Sequence, residues 1–323
     1  MTAALQQQRA DAGSLRTGLC ASLGVLARRL PRFRAKTKLF RSLATALLGR
    51  TRRAVVPVQL DDGSRLLLDP RGRTEASAFY LGKLDNDDLD FFRCCISPDA
   101  MALDIGANIG LVTVPLGRAL RAQSGRLFSF EPVSANAERL AANVHLNDLD
   151  QTVTLIRCAL GDTEGHADMG REIGGGAATG NAAFRAAACS MGQPLEWTTV
   201  PVRRLDDILT AFALTRIDFI KIDVEGAEGG VLRGALETIR RFRPIIYGEF
   251  NAELMPRFDF TFADVGHLFS GLNYRAMAFS HWLDLDDVPY EAGRGNAVLC
   301  PAEKADALLA RCARARKEWR RSV

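Results

Sequence analysis

The feature that most constrains this chain is an apolar run, Met101 to Ile105, that breaks at Gly106 and gives way to helical spacing from Leu111 to Leu120. A strand passed to a helix through a glycine turn is the repeating unit of an open α/β sheet. The turn leaves a helix N-terminus with unpaired backbone N–H groups, and Asp104 just before it favours a ligand carrying donors or positive charge. The glycine spacing, Asp104-Ile-Gly106-Ala-Asn108-Ile-Gly110, is not the G-x-G-x-x-G that lets a backbone approach a pyrophosphate.

Three further predicted strands end on acids. Arg126 to Phe130 runs into Glu131, about twenty-five residues past Gly106, the interval at which a βαβ unit brings a carboxylate to ribose hydroxyls. Capping of the helix that Pro132 opens is the plainer role for that Glu. Val153 to Leu160 reads as one strand ending at Gly161-Asp162, and Ile217 to Ile222 leads into Asp223-Val-Glu225-Gly-Ala-Glu228 and a helix from Val231 to Phe242. Acids gathered at one sheet edge suit a polar cofactor with ribose and ammonium groups.

With the segments LDIGANIG, FSFEP, ALGD and DFIKIDVEGAEGGVLRG in this order, the chain resembles the FkbM family of S-adenosylmethionine-dependent methyltransferases over roughly residues 54 to 300. The resemblance implies a class I methyltransferase fold: an α/β, doubly wound, mostly parallel seven-stranded sheet with helices on both faces and a reversed strand near the C-terminus. It also implies S-adenosyl-L-methionine as cofactor, with Asp104, Gly106, Asn108 and Gly110 around its methionine portion, Glu131 on the ribose and Asp162 at the adenine amine. The expected reaction is O-methylation of a saccharide, glycolipid or secondary metabolite.

Attack by an alcohol releases a proton, so a base near the methyl group is expected. Asp223 is the first candidate, with Glu225 and Glu249 behind it and Lys221 in the same cluster. Glu228 fits a helix cap, and Lys221 could equally be a snorkelling side chain. No metal ligand set is fixed by the spacing, although Asp223 and Glu249 could offer oxygens to a divalent cation. The four histidines are scattered, and only His281, beside Trp282, is placed where it could touch an acceptor. A nicotinamide-dependent reductase is the rival enzyme, disfavoured by the glycine spacing; a non-catalytic membrane or RNA adaptor on the same fold is the other.

The expected division is a basic helical extension (1–53), the methyltransferase domain (54–301) and a basic C-terminal helix (302–323). In the extension, Leu15, Leu19, Leu23, Leu26 and Leu30 fall at helical spacing among arginines and lysines, and Asp11 is its only acid, so the net charge of +4 conceals a strongly basic start. Such a helix either docks on its own domain or meets an anionic membrane; nucleic acid is the lesser expectation. Seven cysteines without C-x-x-C spacing fit reduced thiols, and no apolar run reaches membrane-spanning length, so a cytoplasmic enzyme is expected, with a peripheral place on the membrane's inner face as the alternative. A hairpin over 55–68 precedes helices at 74–81, carrying Glu75 and Tyr80, and at 87–95. A short strand at 198–202 and a helix at 205–214 follow, and strands at 274–279 and 297–299 complete the sheet. The glycine-rich stretch 166–196 reads as a loop shaping the acceptor pocket.

Overall fold

The computed structural model describes every residue except 1–2, 32–34, 50–54, 85–87, 98, 123, 173–181, 189–194, 213, 281–283, 290–294 and 323. His281 and the glycines at 174–176 and 180 therefore lie outside the described residues. The chain divides into two compact units, one of residues 1–85, 171–181 and 192–196, the other of 86–170, 182–191 and 197–323.

In the first unit, helices α1 (Ala3–Arg29) and α2 (Lys36–Leu48) precede a hairpin, β1 (Val56–Gln59) and β2 (Arg65–Leu68), and helix α3 (Arg73–Leu81). The hairpin pairs Val56 with Leu68 and Gln59 with Arg65. Tyr80, fully buried, donates from its hydroxyl to the carbonyls of Phe40 and Pro70, and Glu75 accepts from the Asp69 amide at 2.5 Å. These two candidates are thus structural members of their own unit. The boundary expected after residue 53 falls inside this unit, because α1 and α2 supply its packing.

From residue 86 the elements are α4 (Asp88–Cys95), β3 (Met101–Ile105), α5 (Thr113–Arg121), β4 (Arg126–Phe130), α6 (Ser134–Leu146), β5 (Val153–Ile156), β6 (Ala159–Leu160), β7 (Gly165–Glu172), β8 (Ala182–Phe184), α7 (Arg185–Ala188), β9 (Leu195–Arg203), α8 (Leu205–Thr210), β10 (Phe219–Ile222), α9 (Glu228–Arg233), α10 (Leu236–Phe242), β11 (Ile245–Phe250), a 3-10 turn (Met255–Phe258), α11 (Phe262–Leu268), β12 (Tyr274–Ser280), β13 (Asp284–Asp287), β14 (Gly295–Pro301) and α12 (Ala302–Ser322). Among the described residues the large sheet has eight strands in the order β13-β12-β14-β11-β10-β3-β4-β5. The five from β11 to β5 are mutually parallel, and β14 runs antiparallel between β11 and β12. This is the doubly wound sheet with a reversed strand near the C-terminus, and β13 adds an edge strand to the seven expected.

Parallel strands are buried on both faces, which is why they read as continuous apolar runs. On one face Leu103, Ile105, Phe128, Phe130, Ile220, Ile222 and Ile246 pack with residues of α8 to α11. On the other, Phe92 of α4 stacks on Phe219 and Tyr247, at ring-centroid distances of 5.2 and 4.8 Å.

Two expectations are corrected. The run 153–160 is not one strand: it leaves the large sheet after Ile156, and β6 instead joins a four-stranded sheet of order β6-β9-β7-β8. Nor is 231–242 one helix, since it breaks at Gly234, whose Cα passes so close to the Gly161 carbonyl that a Cβ would stand 2.0 Å from its oxygen.

Candidate functional site

The carboxyl ends of β3, β4 and β10 lie side by side because these strands are neighbours in parallel register, Asp104 opposite both Ser129 and Lys221. Asp104 is wholly buried. Its Oδ2 accepts from the Thr113 hydroxyl at 2.6 Å, and its Oδ1 stands 3.2 Å from the Lys221 ammonium. Lys221 Nζ also reaches Asp223 Oδ2 at 3.4 Å and donates to the Gly106 carbonyl at 3.0 Å. Burial presses the Lys221 pKa down, but Asp104 and Asp223 override it and hold it above the ordinary value. A lysine so firmly protonated does not accept a proton, so its position is that of a fixed cation between two carboxylates.

The loop after β3 needs its glycine. Gly106 adopts φ +77°, and a Cβ there would stand 1.9 Å from the Asp223 carbonyl oxygen. The two strand ends can close on one another only because this side chain is missing. Gly110, at φ +92°, faces α6, where a Cβ would meet Leu140 at 2.6 Å. Asn108 adopts the left-handed conformation, φ 49°, and its amide N–H donates to Glu131 Oε2 at 2.9 Å. The Asn108 side-chain oxygen is buried without a hydrogen-bond partner among the described residues.

Glu131 takes a second backbone N–H, from Val133, on Oε1 at 2.9 Å. Burial pushes its carboxyl up to about 7 despite these donors. The helix-capping alternative is thus partly realised, since Val133 immediately precedes α6.

Past β10 the chain turns tightly through Glu225 (φ 56°) and Gly226 (φ 103°). Glu228, fully buried at the start of α9, accepts from the amides of Val224 and Gly226, each at 3.2 Å, so it ties the loop as a cap does. Burial raises its carboxyl to about 7 as well.

Because Ile222 pairs with Gly248, the next residues, Asp223 and Glu249, emerge side by side from β10 and β11. Burial and the negative charges of Asp223 and Glu225 raise Glu249 to about 7. Tyr247 is in register with Lys221 one row below, its phenol pKa raised by burial and by Asp88 at the start of α4. Thr113, Tyr247 and Asp88 are members of this cluster that sequence reasoning missed; Thr113 opens the helix after the loop, the one signal it carried.

Asp162 is placed differently. It follows β6, outside the large sheet, and its Oδ2 accepts from Arg233 Nε of α9 at 2.8 Å. It therefore does not tip a strand of the sheet that carries Asp104, Glu131 and Asp223. Among the described residues no group of three or more His, Cys, Asp or Glu side chains is arranged to hold a metal ion.

Residues 104–276 match the family model of the methyltransferase FkbM domain, which begins on Asp104 itself. The chain is 33% identical over 167 residues to the 2-O-methyltransferase NoeI of Sinorhizobium fredii, covering 48% of this chain and 64% of that one. It is 28% identical over 157 residues to the methyltransferase sdnD of Sordaria araneosa, covering 42% and 60%. The matches thus span less than two thirds of either relative. A crystal structure of an FkbM methyltransferase from Methylobacillus flagellatus aligns over 86% of this chain and 58% of its own at 16% identity, with a TM-score of 0.42.

Proposed function

As the chain belongs to the FkbM methyltransferase family, we propose that it moves a methyl group from S-adenosylmethionine to a hydroxyl oxygen of a small-molecule or saccharide acceptor. The 2-O-methyltransferase name of the Sinorhizobium relative supports oxygen as the receiving atom. The observation that carries the reading is the chain of charges Asp104, Lys221 and Asp223 beside Glu131, on three adjacent parallel strand ends.

The residues fit the cofactor. Glu131 has carboxylate lone pairs left after two backbone bonds and can accept ribose hydroxyls, while the unpartnered Asn108 oxygen offers an acceptor on the loop between β3 and α5. Asp104, Gly106 and Gly110 shape that loop, and Asp162, engaged by Arg233 on Oδ2, retains Oδ1 as an acceptor for the adenine amine. When bound, the cofactor supplies an electrophilic methyl carbon on a sulfonium.

The chain's own work is placement and proton removal. Asp223, half exposed and ion-paired on one oxygen, is the base for the acceptor hydroxyl. Glu249 beside it, near 7, can take the proton on, and Glu225 adds negative charge favourable to a sulfonium. Lys221 holds Asp104 and Asp223 in place and is not itself the base.

Substitution Asp223→Asn should cut turnover about a hundredfold or more while the affinity for S-adenosylhomocysteine changes little. Unchanged turnover removes Asp223 from proton transfer. Separately, S-adenosylhomocysteine should raise the thermal midpoint where NADH does not; stabilisation by NADH alone overturns the methyl-transfer reading.

A further inference from the structure

The leucines of α1 belong to the sequence pattern that the candidate site leaves unused. Leu15, Leu19 and Leu26 share one helix face at the 3.6-residue period, Leu30 continues the spacing just past the end of α1, and in a globular helix such a stripe normally turns inward. Here the opposite face is buried. Cys20, Gly24 and Ala27 line it, and Gly24 lies so near α3 that a Cβ would stand 2.7 Å from Phe79. Arg28 fixes this seating by donating to the carbonyls of Gln59 at 2.7 Å and Phe79 at 3.1 Å.

Small residues are what the contact with α3 requires, so the leucines are left outside, exposed at 68, 47, 51 and 40% in sequence order. Helix α2 repeats the pattern: Phe40, Ala44 and Leu48 are buried while Leu39 and Leu43 are exposed.

Charge selects the occupant. From Ala12 to Leu60 the sequence carries eleven lysines and arginines and no acid. Arg16, Arg29 and Lys38 are exposed on the same two helices, whereas Lys36 is buried with its ammonium on the Leu30 carbonyl. Nucleic acid would use the cations and leave the leucines in water, whereas a bilayer surface rich in anionic lipid uses both. No helix among the described residues is long and apolar enough to cross a membrane.

From these observations we infer that α1, with α2 beside it, docks on an anionic phospholipid surface, its leucines at the acyl boundary and its cations among the headgroups. This inference is independent of the methyl-transfer reading.

The full chain should sediment with vesicles of phosphatidylcholine mixed with phosphatidylglycerol and remain in the supernatant with phosphatidylcholine alone. Replacing Leu15, Leu19, Leu26 and Leu30 by Gln should weaken partition about tenfold or more, and Arg16→Gln with Arg29→Gln should weaken it about fivefold per charge, with added salt acting in the same direction. The replaced side chains face solvent, so thermal midpoints should match that of the parent. If the fourfold variant unfolds, Leu15→Gln with Leu19→Gln decides by the same measurement. Equal partition of parent and leucine variant overturns the inference. So does a chain that ignores vesicles but self-associates in light scattering and becomes monomeric on losing these leucines.

Discussion

Glu131 combines burial with a requirement for charge, and the two pull in opposite directions. Its carboxyl is raised to about 7, so near neutral pH the neutral and ionised forms coexist before a ligand binds. Only the ionised form is purely an acceptor, and ribose hydroxyls are donors, so binding favours the deprotonated state. Affinity for S-adenosylhomocysteine should therefore rise with pH, becoming about tenfold tighter by calorimetry at pH 8 than at pH 6. Glu131→Gln should bind more weakly and show a flat profile over this range; a parent profile that is already flat would detach Glu131 from the ribose. Glu131 and Asp223 were legible in the sequence because a residue directly past a strand needs only the strand to be located, and Asp104, next to last in β3, because it breaks an apolar run just before a glycine turn. Thr113 and Tyr247 were not: Thr113 meets Asp104 only through the three-dimensional course of the loop between β3 and α5, and Tyr247 joins the cluster only through the register of β11 on β10 and of β10 on β3, the latter linking residues more than a hundred positions apart.

At the level of elements, local pattern located most helices and strands but not their partners. The run 153–160 keeps its apolar character through Ile156 and Leu160, yet the two halves join different sheets, a choice made by tertiary pairing of β6 with β9. Likewise α10 begins at Leu236 because Asp206, from α8, accepts the amides of Glu237 and Thr238 at 3.1 and 2.8 Å. An N-terminal cap whose acceptor lies 31 and 32 positions away leaves no mark in the local sequence. The turn between β10 and α9 is the reverse case, with its own carboxylate two to four residues on. Glu228→Ala leaves the Val224 and Gly226 amides without their acceptor and should lower stability by about 2 kcal/mol in denaturant unfolding, with a loss of turnover as Asp223 loosens. Glu228→Gln retains an acceptor oxygen and should recover most of both. Equal losses in the two variants would mean that volume, not the hydrogen bonds, is what the site needs.

Across the whole molecule, the doubly wound topology followed from alternating apolar runs and helical spacing, whereas the division into compact units did not. The charge pattern suggested a break near residue 53, but Gly24 against Phe79 and Tyr80 bonded to Phe40 bind the basic helices to the hairpin and α3. The fold also stores an unusual pH response. Glu131 and Glu228 are buried acids raised from 4.5 to about 7, so each contributes stability that is complete below pH 4.5 and is lost as pH rises through 7. Glu303, drawn down to about 2 by Arg243, acts oppositely, but its contribution is present above 4.5 and disappears only in stronger acid. Between pH 5 and 8.5 this buried pair therefore dominates the slope, with Glu249, raised to about 7 as well, adding to it, and the ligand-free protein should be more stable at pH 5, by on the order of 2 kcal/mol for each buried acid. Urea unfolding at the two pH values measures this directly. Glu131→Gln combined with Glu228→Gln should remove most of the difference, because neither amide titrates, leaving the smaller share of the more exposed Glu249. A slope undiminished by the double substitution would assign the response to other groups, and greater stability at pH 8.5 would show that both carboxylates are comfortably ionised in the folded chain.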